Sequence, residues 1–186
     1  MISEMERYRT LILELLLITE SRTTDFLELV TEDRLRPLIT HQQTLQVPSD
    51  DKDTSYTDAL LRESWLVTEK DDFVVSQNYA LLYPEFMPDE LYQRMLLKNQ
   101  GIGKVIKELG IQSERNIIAK GWRLSGKSVN LFGDSCRIHF THEQPAYPYK
   151  EYKLHFAGFL SAGIHLLEYF NPGMLLKSNV PVISKL

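Results

Sequence analysis

A chain of 186 residues, 43% of them hydrophobic and 25% charged, is long enough to bury a core without metal or disulfide support, and one domain spanning residues 1–186 is expected. Its net charge of -4 argues against a general nucleic-acid binder, which carries a basic surplus. The single cysteine, Cys136, rules out an intrachain disulfide framework and fits a reducing compartment.

Glu4 to Glu20 place Tyr8, Leu11, Ile12, Leu15, Leu16 and Ile18 at helical spacing, which predicts a first amphipathic helix. Its apolar run is interrupted by Glu14 and lacks a small-residue cleavage site, so it reads neither as a membrane span nor as a signal peptide. Thr24 or Asp25 is the expected cap of a second helix that buries Phe26, Leu27, Leu29 and Val30 and ends before Pro37. Pro37 to Val47 reads as extended, and Pro48 to Thr57, with the acidic stretch Asp50 to Asp53, as a solvated loop. Ala59 to Tyr83 carries the strongest signal, two long strands of β-branched and aromatic residues joined by the turn Glu69-Lys70-Asp71-Asp72.

Pro88 suits the first position of a short helix that ends at Gln100-Gly101, and a second short helix, Gly103 to Leu109, stops at Gly110. Strands are expected at Asn116 to Leu124, Ser128 to Phe132, Arg137 to Thr141, Tyr149 to Phe156 and Gly163 to Phe170, followed by an irregular tail. Helices first and hairpins afterwards predict an α+β fold, a mostly antiparallel β-sheet with helices packed to one side.

Several motifs invite a function and have a plainer explanation. Gly121 to Ser128 matches the phosphate-loop letters G-x-x-x-x-G-K-S, but Trp122, Arg123 and Leu124 crowd its interior and a strand follows instead of a helix, so a turn at Ser125-Gly126 accounts for it. His139, His142 and Glu143 lie close in sequence, yet residues three apart on a strand face opposite ways, and no metal site is expected. His155 and His165 read as hydrogen-bonded structural residues, and Cys136 as a packing residue. The terminal Ser184-Lys185-Leu186 matches a peroxisomal address, the alternative to a cytoplasmic location.

Two residues resist a plain reading. Period two puts Arg62 in one row with Leu60, Ser64 and Leu66, and Glu168 in one row with Leu166 and Phe170. A buried cation or carboxylate needs a partner or a ligand. The two residues therefore form either a structural ion pair or the ends of a pocket in which Arg62 holds an anion and Glu168 handles a hydroxyl or proton.

The order of short motifs resembles the chorismate pyruvate-lyase family with its archaeal and cyanobacterial relatives: Glu32-Asp33-Arg34-Leu35 after a helix, Leu61-Arg62-Glu63 on a strand, Gly101-Ile102-Gly103-Lys104 between two helices, and Leu167-Glu168-Tyr169-Phe170-Asn171-Pro172 late in the chain. The resemblance implies a chorismate lyase-like fold enclosing a small ligand pocket, and a cofactor-free lyase that removes pyruvate from chorismate to give 4-hydroxybenzoate for quinone biosynthesis. It implies that Arg62 takes the ring carboxylate with backbone N–H groups near Leu35, Ile102 and Gly103, that Glu168 faces the ring hydroxyl, and that no metal or cofactor takes part. The further arginine of the bacterial lyase has no counterpart among Gln77, Asn78 and Tyr79, which leaves Lys150 or Lys153 for the second carboxylate. The same fold serves effector-sensing domains of transcription regulators, so a non-catalytic domain that binds an aromatic or cyclohexadienyl carboxylate is the alternative. Retention of Glu168 and the lack of a helix-turn-helix favour the enzyme.

Overall fold

The computed structural model describes residues 3–48 and 56–177. The acidic stretch from Asp50 to Asp53 and the terminal Ser184-Lys185-Leu186 lie outside the described residues. Six strands form one antiparallel sheet: β1 (Leu35–Pro48), β2 (Tyr56–Thr68), β3 (Val74–Leu82), β4 (Ser113–Leu124), β5 (Ala146–Phe156) and β6 (Ala162–Phe170), in the spatial order β1-β2-β3-β6-β5-β4. The hairpin of β2 and β3 forms as its residues predict, and β6 docks on β3 in the middle of the sheet. Pro37 sits on an edge strand, where a missing N–H costs no ladder bond.

Helices α1 (Glu4–Ile18), α2 (Thr23–Thr31), α3 (Asp89–Leu96), α4 (Ile102–Glu108) and the short α5 (Met174–Lys177) supply the helical side of the core. Ser3 starts α1 by a reciprocal cap: the Glu6 N–H donates to Ser3 Oγ at 3.2 Å and the Ser3 N–H donates to Glu6 Oε2 at 2.8 Å. Four of the six residues expected on the buried amphipathic face are not there. Leu13, Leu16 and Leu17 are buried, whereas Tyr8, Leu11, Leu15 and Ile18 point outward, because 3.6 residues per turn divide the apolar run into two stripes. The cap of α2 also differs, since the helix begins at Thr23 after Arg22 with no side-chain cap, and Thr24 and Asp25 fall within its first turn. The Thr23 hydroxyl is used elsewhere, on Glu168. Gly110, at φ 64°, takes the left-handed conformation expected after α4.

Two core clusters lie on the helical side. One gathers α3 and α4 over β5 and β6 through Leu91, Met95, Val105, Leu154, Phe156 and Ile164. The other gathers α1, α2 and α5 through Leu13, Leu16, Leu27, Phe170 and Met174. Between the two groups part of the sheet is left uncovered, and there the candidate site lies.

The opposite face is covered by the β4–β5 connection, and this corrects the expected strands Ser128 to Phe132 and Arg137 to Thr141. One isolated bridge, Val129 to Ser135, is all the pairing this connection makes outside the named strands among the described residues. Side chains replace the missing ladder. Gln77 Nε2 donates to the Arg137 carbonyl at 3.0 Å, and its Oε1 accepts from the His139 N–H at 2.9 Å. The Tyr169 hydroxyl accepts from the Val129 N–H at 3.0 Å and donates to the Val129 carbonyl at 2.8 Å. Ile138 and Phe140 then pack with Tyr79, Tyr147, Leu167 and Tyr169, and half-buried Cys136 packs against that cluster, where burial pushes its thiol pKa up.

Candidate functional site

Strand register explains how residues far apart in sequence share one surface. Arg62, Ala80, Leu166 and Tyr152 stand side by side across β2, β3, β6 and β5. The next row holds Ser64, Asn78, Glu168 and Lys150. Alternation turns both rows toward the helices. A cavity of about 730 Å³ sits over them, walled by Arg22 and Thr23 at the start of α2, by Gly101, Ile102, Gly103 and Ile106 at the start of α4, and by Arg115 of β4. That volume lies within the ~300–1,000 Å³ of small-molecule sites.

The structure brings Arg62 and Glu168 to this one cavity, and it does not pair them. Arg62 is buried, and its Nη1 donates to the Met95 carbonyl at 3.4 Å while its Nη2 donates to the Gln100 carbonyl. Met95 lies in the last turn of α3, where unsatisfied carbonyls and the helix dipole favour a cation. Burial pushes the guanidinium pKa down to about 10. A guanidinium has five N–H donors, so these contacts leave capacity for an acceptor in the cavity.

Glu168 is buried and accepts from Thr23 Oγ1 at 3.1 Å. Tyr152 lies beside it, and burial together with the Glu168 charge raises the phenol pKa. Arg115 spans the wall: its Nη1 donates to the Ser21 carbonyl at 2.7 Å and to Thr23 Oγ1 at 3.3 Å, and its guanidinium lies 4.2 Å from the centre of the Tyr152 ring. Arg22 Nη2 pairs with Asp25 at 3.0 Å. Four polar atoms belonging to residues around the cavity are shut off from its free space and have no hydrogen-bond partner among the described residues: Nε and Nη1 of Arg22, Nε of Arg115 and Oδ1 of Asn78. Leaving such groups unmet costs ~1–3 kcal/mol each, more when charged.

The remaining expected contacts divide. Ile102 and Gly103 line the cavity. Leu35 does not, because its N–H donates to Glu28 Oε1 at 3.0 Å, away from that lining. Neither lysine supplies a second cation: Lys153 alternates away from the Tyr152 face, and Lys150 Nζ donates beneath α1 to the carbonyls of Leu16 at 3.0 Å and Thr19 at 3.3 Å. Arg115 and Arg22 stand at the wall instead. Arg115 was findable, since period two on β4 sets it in one row with Ile117. Arg22, in the turn before α2, has no periodic signal.

Among the described residues no three His, Cys, Asp or Glu side chains converge as a metal site, and His139 lies against Trp65, ring centres 5.6 Å apart. His165 Nε2 bonds Glu151 Oε1 at 2.8 Å, the structural role its sequence position suggests. The Gly121 to Ser128 segment is the end of β4 and a single 3-10 turn, so no helix N-terminus stands there to hold phosphate.

Lys150 makes a prediction of its own. Burial, opposed by the Glu168 charge, depresses its pKa from an ordinary 10.5 to about 8. Between those values the unfolded chain holds a proton the native state lacks, so this group's contribution to stability increases as pH rises through that window. Urea midpoints of wild type minus Lys150→Met are expected to grow from pH 7.5 to pH 10. A difference that is flat or shrinks would show that the amine is not depressed.

No protein-family model matches the sequence, and no curated protein sequence matches it. Solved structures do. PhnF from Mycobacterium smegmatis superposes with TM-score 0.52 at 12% identity over 83% of this chain, which spans 65% of that chain's length. The effector domain of the same PhnF gives 0.51 at 12% identity, covering 83% of this chain and 90% of that one. The ligand-binding domain of a putative GntR-family transcriptional regulator from Bordetella bronchiseptica gives 0.47 at 10% identity, over 75% of this chain and 83% of that one. The chain has an α+β, chorismate lyase-like fold, which it shares with PhnF and its effector domain.

The likeness to the effector domain of PhnF overturns the expectation of a chorismate lyase acting in quinone biosynthesis. The lysines expected to serve the second carboxylate lie away from the cavity. No helix among the described residues is long and apolar enough to cross a membrane.

Proposed function

We propose that this chain is a non-catalytic ligand-binding domain whose cavity takes a small organic acid as an effector. One observation carries the reading: arginines from three separate parts of the chain, Arg22, Arg62 and Arg115, line one cavity. A carboxylate placed among the guanidiniums would make charge-assisted hydrogen bonds with them. Leu66, Leu154, Leu166 and Ile106 supply an apolar wall suited to a ring, and the Asn78 side chain stands among them as a polar neighbour. An aromatic acid with a polar group opposite its carboxylate fits both ends. The effector domain of PhnF shares the fold, and its name points to the same kind of role.

Chorismate and 4-hydroxybenzoate titrated calorimetrically, with pyruvate followed in parallel, test the reading. Heat of binding without pyruvate release is expected. Pyruvate release that depends on Glu168 would overturn it. Arg115→Met is expected to weaken binding about 10-fold or more, since a hydrogen bond to a charged group contributes ~1.5–3 kcal/mol. Unchanged affinity in that variant would remove Arg115 from the site.

A further inference from the structure

α1 is apolar on two sides, and the fold uses one of them. Leu13, Leu16 and Leu17 face the core, while Tyr8, Leu11, Leu15 and Ile18 on the other side are 44–53% exposed. A helix apolar all round is ordinarily buried all round. The outward positions follow the alternating spacing of three and four that makes a helix–helix seam. Both ends of α1 are defined, by the reciprocal Ser3–Glu6 cap and by Lys150 on the carbonyls of Leu16 and Thr19, so the outward stripe is held in place. Tyr8 is fixed further by its hydroxyl, which donates to Glu4 Oε1 at 3.1 Å.

We propose that the outward face of α1 is the seam of a twofold-symmetric dimer of this chain. The four positions are symmetric about Leu13. An antiparallel second α1 therefore sets Tyr8 against Ile18 and Leu11 against Leu15, and each contact occurs twice, as an isologous interface requires. The patch continues onto β4, an edge strand, where Trp122 and Leu124 are 43% and 54% exposed and Trp122 Nε1 donates to Glu14 Oε1 at 3.0 Å. These six side chains, each about half exposed, offer roughly 650 Å² per partner, within the ~600–1,000 Å² that each side of a standard interface contributes. Self-complementary spacing, a rigid helix and sufficient area together select a second copy as the occupant.

Sedimentation velocity on the full chain, from about 1 µM to a few hundred micromolar, tests this. Wild type is expected to reach twice the monomer mass, Leu11→Glu with Leu15→Glu to stay monomeric with an unchanged circular dichroism spectrum, and Leu29→Glu, on the exposed face of α2, to dimerise like wild type. If the seam double variant misfolds, Tyr8→Lys with Ile18→Lys at the ends of the same seam carries the test and is likewise expected to be monomeric. A wild type that stays monomeric throughout overturns the proposal. So does a folded seam variant that still dimerises.

Discussion

Arg62→Ala is expected to lose about 3 kcal/mol of folding stability and most of the affinity for an organic acid. The stability loss follows from what the guanidinium holds. Its removal takes the donor from the Gln100 carbonyl, leaves the Met95 carbonyl with Gln42 Nε2 at 3.3 Å and the Lys98 N–H at 3.4 Å, and empties the volume of a buried long side chain, and an unmet buried carbonyl costs ~1–3 kcal/mol. Gln100 is also held by Arg94, whose Nε donates to Gln100 Oε1 at 2.9 Å, so the connection between α3 and α4 is fastened at two points and Arg62 supplies the inner one. The affinity loss follows from charge. A carboxylate in the cavity would lose a fork of donors worth a factor of roughly 10–150. Arg62→Lys separates the two effects: it restores a cation without the planar fork, and is expected to recover part of the stability and little of the binding. Urea unfolding and calorimetry on both variants check this. An Arg62→Ala protein as stable as wild type would mean that the guanidinium does not fasten the helix pair.

Gly163→Ala is expected to be as damaging, for a reason unconnected with the cavity. A Cβ at position 163 would lie 2.2 Å from the Phe86 carbonyl oxygen and 2.7 Å from the Phe156 ring. Neither neighbour yields cheaply. The Phe86 oxygen is backbone in the 3-10 turn Pro84–Phe86, the Gly163 carbonyl accepts from the Tyr83 N–H at 2.8 Å, and Phe156 is buried in the core. Overpacking of this kind costs ~1–3 kcal/mol, and the upper end is expected because the nearest group in contact is backbone and the other is a buried ring. For a domain of this length that lowers the melting temperature by roughly 6–12 °C. A variant that melts within a degree of wild type would show that this close approach does not exist in solution.

How far the sequence discloses the molecule depends on which interaction decides each element. The β2–β3 hairpin is legible because alternation, β-branched residues and a polar turn all agree, and alternation puts Arg62 and Glu168 each in an apolar row of its own strand, while the shared face comes from the register. Their relation to each other is not legible. Whether Arg62 meets Glu168 or the end of α3 depends on where the α3–α4 unit docks, and no local pattern encodes that. The β4–β5 connection misleads for a related reason. Ile138, Phe140 and their neighbours alternate like strand residues, but Gln77 and Tyr169 satisfy their backbone from the sheet below, so no ladder is needed. In α1 the composition fits an amphipathic helix and conceals that its apolar residues form two stripes. The lyase expectation fails at the step from fold to chemistry: motif order identified an architecture that catalysts and sensors share, and the sites that distinguish them are built from residues such as Arg22 and Arg115, which no motif marked.

The measurement closest to the central claim compares 4-hydroxybenzoate with 4-hydroxybenzamide, a ligand of nearly the same shape and no charge, by calorimetry on the wild-type chain. If arginines from three elements define the cavity, the acid binds and the amide binds at least about 10-fold more weakly. Equal affinity for the two, or no binding of the acid, would contradict an anion-receiving site.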